Sequence, residues 1–224
     1  MIGIIDYRMG NLRSVEKALE TVGAGVRILR EPHELDETIE GLVLPGVGAF
    51  ADGMDQLRRG GWVDPIGDFI GQGKPFLGIC LGMQLLFESS EEGASEAGAP
   101  VEGLGVLPGR VKALSPGRDA SGRRLKVPHM GWNALAWDRE DPLMAGVQPG
   151  AHAYFVHGYF AEPAEEDGRL LVSAQCDYGG TFCASVWRDR LWATQFHPEK
   201  SQRVGLRMLA NFAGVAADGS GPAS

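Results

Sequence analysis

The first third of the chain alternates short apolar runs with helically spaced ones, and few folds accept that pattern. Ile2 to Ile5 is an apolar run closed by Asp6 and reads as a buried strand. Leu12, Val15, Leu19 and Val22 follow at helical spacing, with Asn11 placed as an N-cap and Gly23 as a stop. Val26–Leu29 is a second strand. A polar helix is expected around Glu34–Glu40, then a strand at Leu42–Leu44 that ends in Pro45-Gly46-Val47-Gly48. Helical patterns cover Ala51–Arg59 and Val63–Gly71. Phe76–Ile79 is a strand, joined almost without linker to a helix over Leu81–Glu88. Such alternation implies a parallel sheet with helices on both faces.

The second half has a different texture. Short β-rich pieces (Gly109–Leu114, Trp132–Leu135, Ala153–Val156, Leu170–Ala174, Phe182–Trp187, Leu191–Phe196) are punctuated by Gly and Pro, and helical spacing returns only at Val204, Met208, Leu209 and Phe212. The expectation is an α/β core carrying an antiparallel or mixed β extension, in one domain over residues 1–213. The stretches Ser89–Ala99 and Ser115–Arg124 read as loops, and residues 214–224 as a disordered Gly/Ala/Ser-rich tail.

Composition narrows the function. A net charge of −8 argues against a nucleic-acid or anionic-membrane surface, which needs clustered Lys and Arg. Three cysteines, Cys80, Cys176 and Cys183, form neither a complete disulfide framework nor a C-x-x-C metal knuckle. The most apolar stretch, residues 75–87, is short of the ~20 residues of a membrane helix. The N-terminus has no basic and apolar leader pattern, which together with free thiols fits a cytoplasmic protein. Glycine, at 33 of 224 residues, stands well above the usual ~7% and points to tight turns or backbone-lined sites.

Gly78-Ile79-Cys80-Leu81-Gly82 lies at the strand-to-helix junction. Small neighbours allow a sharp turn that exposes its central residue, and a thiol at a helix start is favoured as thiolate. The N–H of Leu81 is then aimed to stabilise an oxyanion. By residue type alone a free cysteine is more often buried packing. Among five histidines, His197 in Gln195-Phe196-His197-Pro198-Glu199 falls at a strand end, where sheet-based sites lie. Pro198 favours an extended backbone before it, and residues two apart in an extended segment share a face, so Glu199 can hold the imidazole. A structural histidine beside a surface glutamate reads equally well for that tripeptide alone. The elbow cysteine and the strand-end His-x-Glu together make the stronger case for nucleophilic catalysis.

These residues resemble the class I (triad) glutamine amidotransferases. Ile5-Asp6-Tyr7-Arg8-Met9-Gly10-Asn11-Leu12-Arg13-Ser14, Leu44-Pro45-Gly46-Val47-Gly48-Ala49-Phe50, Pro128-His129-Met130-Gly131-Trp132-Asn133, Tyr154-Phe155-Val156-His157 and His197-Pro198-Glu199-Lys200-Ser201 are similar to the glutaminase subunits of imidazole glycerol phosphate synthases, over residues 2 to 213. Departures are Arg8 where Gly is frequent, Gly158 where Ser is usual, and Ala193-Thr194 where Gly-Val is common.

The resemblance implies a flavodoxin-like open, mainly parallel sheet. It implies that Cys80 attacks the glutamine amide, His197 moves the proton and Glu199 orients His197. The oxyanion would be met by Leu81 N–H and one N–H from the Gly46-Val47-Gly48 loop, each donor worth roughly 3–4 kcal/mol. Gln84, one helical turn after Cys80, and Tyr154 with Gly46 would bind substrate. His157 reads at least as well as a hydrogen-bonded strand histidine. Asn11, Met130, Trp132 and Lys200 are interface candidates, with Met130 and Trp132 read equally as core and Lys200 as solvated or partner-facing. The implied partner is a (β/α)8-barrel cyclase that takes the ammonia and yields imidazole glycerol phosphate and AICAR. No metal or organic cofactor is expected. A glutaminase serving another synthase, such as the pyridoxal phosphate system, and an inactive interaction module of the same fold are the alternatives. The Met-Gly-Trp-Asn segment weighs against the first and the intact Cys80, His197 and Glu199 against the second.

Overall fold

The computed structural model describes residues 1–94, 98–118, 122–164 and 171–218. Its strands and helices run β1 (Ile2–Ile5), α1 (Leu12–Thr21), β2 (Val26–Leu29), β3 (Gly41–Gly46), α2 (Phe50–Arg59), α3 (Val63–Gly71), β4 (Phe76–Cys80), α4 (Leu81–Leu85), β5 (Phe87–Ser90), β6 (Val101–Glu102), β7 (Leu107–Ala113), β8 (His129–Ala134), β9 (His152–His157), β10 (Tyr159–Pro163), β11 (Val172–Asp177), β12 (Thr181–Arg188), β13 (Leu191–Thr194) and α5 (Gln202–Ala217).

The main sheet has the order β11-β12-β13-β4-β3-β1-β2. The five strands from β13 to β2 are parallel, and β12 and β11 extend them antiparallel. The fold is thus the expected α/β one: a mostly parallel sheet flanked by helices, with a mixed extension. Apolar side chains alternate between its two faces, as parallel strands covered on both sides require. Ile5, Leu42, Leu44 and Phe76 point into one core with α2, α3 and α4, whereas Ile2, Ile4, Val43, Leu77 and Ile79 point into the other with α1 and α5. A second sheet, β10-β7-β5-β6, extends the first core, and the antiparallel pair β8–β9 closes the other.

Three sequence expectations fail locally. Residues 34–40 are not helical: a single 3-10 turn at Pro32–Glu34 is followed by a turn in which Asp36 Oδ1 accepts from Thr38 N at 2.9 Å. Short polar side chains that bond nearby backbone compete with helix. The helix expected over Leu81–Glu88 stops at Leu85, and residues 87–90 form β5. The carbonyls of Leu85 and Leu86 accept instead from the N–H groups of Leu104, Val106 and Leu107, so tertiary pairing replaces the next helical turn. The final helix runs past Gly214 to Ala217. Parts of the Ser89–Ala99 and Ser115–Arg124 loops, and the tail beyond residue 218, lie outside the described residues. Among those described, no helix is long and apolar enough to cross a membrane.

Candidate active site

Three parallel strands side by side assemble the site. Gly46 of β3 is in register with Cys80 of β4, and Ile79 of β4 is in register with Thr194 of β13. The Pro45–Gly48 turn therefore leaves the sheet on one side of Cys80, and His197, three residues beyond β13, on the other. All three lie at the carboxyl edge, where open α/β sheets hold their ligands.

Cys80 sits at the turn into α4 with φ 55° and ψ −109°, a left-handed backbone rarely adopted by a side-chain-bearing residue. Its neighbours make the turn feasible. A Cβ on residue 82 would stand 1.8 Å from the Leu44 carbonyl oxygen, and one on residue 46 would stand 2.3 Å from Tyr7 Oη. Only glycine fits either place. The Cys80 thiol faces the Val156 carbonyl at 4.0 Å, and Gln195 Nε2 lies 3.8 Å from its sulfur.

His197 Nδ1 and Glu199 Oε1 are 2.7 Å apart, with both side chains 2% exposed. The expected pairing is present but its route differs. His197 is extended, yet Pro198–Lys200 forms a 3-10 turn, and that turn, rather than a continued strand, brings the carboxylate back. His197 is held by β9: its N–H donates to Tyr154 O at 2.9 Å, and its carbonyl accepts from Ser201 Oγ, which accepts from Tyr154 N. Burial alone would lower the imidazole pKa, but the Cys80 thiol and then the Glu199 carboxylate outweigh it and raise His197 to about 9. His197 Nε2 makes no hydrogen bond among the described residues. The imidazole is thus poised to hold a proton beside the Cys80 sulfur.

The oxyanion candidates divide. Leu81 is the first residue of α4, so its N–H has no intrahelical acceptor. Val47 N–H donates to Met9 O at 3.0 Å and is not free in this conformation. Gly48, at φ 109°, follows on the same exposed turn. Gln84 spends its amide nitrogen on Tyr159 O at 2.9 Å and Gln195 Oε1 at 3.0 Å, which leaves only its oxygen for other partners. The Tyr154 ring lies outward between Trp132, centroids 6.0 Å apart, and Lys200 Nζ, 5.9 Å away. Met130 is 63% and Trp132 45% exposed, so neither is core. Asn11 is exposed and makes no side-chain cap to α1. Cys176 and Cys183 are buried free thiols, pushed up to about 12 chiefly by burial.

Gln195, Ser201 and His129 escape sequence reasoning, whereas His157 is, as read, a hydrogen-bonded strand histidine. Gln195 stands two residues before His197, which is the one local signal it offers.

The chain is similar along nearly its whole length to known proteins. The family model described as "Glutamine amidotransferase class-I" matches residues 3–215. The imidazole glycerol phosphate synthase subunit HisH of Syntrophotalea carbinolica is 52% identical over 95% of this chain and 98% of its own length. Its counterparts in Geobacter sulfurreducens, at 50% over 94% and 97%, and Rhodopirellula baltica, at 51% over 95% and 97%, are similar throughout. Among solved structures, one described as a glutamine amidotransferase shares the fold with TM-score 0.70 at 22% identity, over 96% of this chain and 98% of that one. The glutaminase domain of Trypanosoma brucei CTPS does so with TM-score 0.64 at 19% identity, over 97% and 93%. A nucleophile elbow between a backbone turn and a buried His–Glu pair, in a sequence matched along nearly all its length, leads to one conclusion: the chain is a glutamine amidotransferase of class I and belongs to the family of HisH subunits.

Proposed function

We propose that this enzyme hydrolyses L-glutamine through Cys80, His197 and Glu199 and delivers the ammonia to a (β/α)8-barrel cyclase. The observation that carries the reading is the buried His197–Glu199 contact of 2.7 Å beside the strained Cys80 turn. The Cys80 sulfur, its proton passed to His197, attacks the side-chain amide carbon, and the C=O pair moves onto oxygen. Leu81 N–H and one N–H of the Gly46–Gly48 turn stabilise that oxyanion. The imidazolium of His197 gives its proton to the leaving nitrogen as the C–N bond breaks. Water, deprotonated by His197, then cleaves the thioester to glutamate and restores the thiol. Glu199 keeps the imidazole oriented and compensates its charge through both steps. With its amide nitrogen engaged inside the protein, Gln84 meets the substrate through its oxygen.

Ammonia protonated in bulk water is no longer a nucleophile, so delivery needs a covered route. A cyclase seated on the carboxyl edge, against Asn11, Met130, Trp132 and Lys200, covers it and converts its nucleotide substrate to imidazole glycerol phosphate and AICAR. The Val47–Met9 bond gives the isolated chain an incomplete oxyanion site, so activity alone should be low.

Glutamate release, assayed with and without the cyclase and its nucleotide ligand, tests the reading. Low turnover alone, strong stimulation in the complex and a loss of at least ~10³-fold in Cys80→Ala are expected. Undiminished turnover in that variant would overturn the mechanism, and failure of any cyclase to bind would overturn the pathway assignment alone.

A further inference from the structure

Behind the Cys80 sulfur runs a line of buried amides and imidazoles with no part in the hydrolysis steps. Gln195 Nε2 lies 3.8 Å from Cys80 Sγ, and Gln195 Oε1 accepts from Gln84 Nε2 at 3.0 Å. Gln84 Nε2 also donates to Tyr159 O at 2.9 Å. That carbonyl is 2.9 Å from His157 Nδ1. His157 Nε2 is 3.1 Å from His129 Nδ1, and His129 Nε2 is 3.4 Å from Asn133 Nδ2. The line thus runs from β8 to the sulfur.

Its direction is fixed from both ends. At the outer end, Asn133 Nδ2 donates to Asp177 O at 2.8 Å and its Oδ1 accepts from Ala134 N at 2.8 Å. The atom it turns to His129 is therefore a donor, and His129 Nε2 must accept. At the inner end a carbonyl can only accept, so His157 Nδ1 carries its proton. The two requirements meet at a single solution, in which His129 Nδ1–H donates to His157 Nε2 and both rings are neutral. Burial supports that state by pushing each imidazole down to about 4. Stacking between Phe155, at 4.8 Å, and Tyr178, at 4.0 Å, clamps the His129 ring.

The orientation of Gln195 matters because a side-chain amide can rotate end for end. Rotated, it would turn its oxygen onto the Cys80 sulfur and its NH₂ onto that of Gln84, lone pairs against lone pairs and a donor against a donor. Gln84 is barred from the matching rotation by the Tyr159 carbonyl, whose other donor is His157.

We propose that His129 and His157 are positioning residues, which hold the Gln84–Gln195 amide pair in the one orientation that offers a hydrogen bond to the Cys80 sulfur. The proposal rests on reading Cys80 as the nucleophile. Without the His129 donor, His157 is free to carry its proton on Nε2 and turn a lone pair toward the Tyr159 carbonyl; that repulsion displaces the carbonyl from Gln84 Nε2, and the bar on amide rotation is lost.

Two substitutions at one position separate hydrogen bonding from packing. His129→Phe keeps the stacked ring and removes the donor. His129→Asn loses the ring and keeps an amide N–H in the place of Nδ1. The readout is the rate at which iodoacetamide alkylates Cys80 in the full chain, followed by mass spectrometry of the Cys80 peptide, with thermal stability measured alongside. The relay requires alkylation slowed about three- to tenfold in His129→Phe, roughly what one hydrogen bond is worth, and recovered to within about twofold of wild type in His129→Asn although that variant is the less stable. Rates that rank with stability, or a Phe variant as fast as wild type, would overturn it. In the cyclase complex kcat for glutamine should fall by the same factor in the Phe variant. A wild-type complex without glutaminase activity would sink the functional reading and leave the thiol comparison to decide the relay.

Discussion

Arg8 and Cys80 both hold left-handed backbone, at φ 69° and 55°, but only one has a use for it. At Cys80 the strain is the elbow that presents the sulfur, and the surrounding glycines exist to permit it: Gly82 has no room for a Cβ against Leu44 O. At Arg8 the same conformation is one that glycine would adopt with less strain. A left-handed residue with a Cβ costs about 1–2 kcal/mol, and glycine gives back about 0.5–1 through the entropy of the unfolded chain. Arg8→Gly should therefore raise stability by about 0.5–1 kcal/mol and the melting temperature by roughly 1–4 °C. Differential scanning calorimetry checks this, and a fall in Tm would mean that the arginine side chain contributes more than its backbone costs. The proposed catalytic residues stand out in the sequence because each carries a local mark: glycines two residues either side of Cys80, and a proline and carboxylate directly after His197. Gln195, Ser201 and His129 carry none, because their roles arise only when β9 and β13 come together.

At the scale of elements, periodicity located the strands of the main sheet and failed where a tertiary partner was better than the next helical turn. Leu85 and Leu86 have good helical character, yet their carbonyls bond the residues leading into β7. Nothing within residues 81–88 announces a partner some twenty positions away. The β8–β9 pair shows the converse, a short motif with a thermodynamic signature. It buries His129 and His157, 2% and 5% exposed, and burial lowers both to about 4. Unfolded, each titrates near ~6.5. Between these values the unfolded chain binds more protons than the folded one, so the stabilising contribution is present above pH ~6.5 and falls as pH drops toward 4. Denaturant unfolding at pH 7 and pH 5 should differ by of order 1 kcal/mol for each histidine. His129→Phe should shrink the difference, and an unchanged one would show that these imidazoles are not held neutral. The His197 contribution has the opposite sense: its raised pKa gives stability present below pH ~6.5 and lost as pH climbs through about 9.

For the whole molecule, the distribution of exposed apolar surface is the telling feature. Among the described residues, the large apolar ones left exposed are Met1, Val47, Val127, Met130 and Trp132. Three of the five lie within or next to β8, and Val47 caps the turn beside Cys80. A monomer gains nothing from a half-exposed tryptophan at the mouth of its site, whereas an interface concentrates its energy in such an anchor ringed by polar groups. Trp132 stands edge-on to Tyr154, and the Lys200 ammonium lies over that same ring. This arrangement keeps the indole in place before any partner arrives and lowers the entropic cost of docking. Trp132→Ala should then weaken cyclase binding by about 2 kcal/mol, roughly 30-fold in Kd, in titration calorimetry. It should change the stability of the isolated chain by less than about 1 kcal/mol, since nearly half of the side chain is already in water. A large loss of stability with unchanged affinity would make Trp132 a core residue that happens to show at the surface, and would place the cyclase on some other face of the molecule.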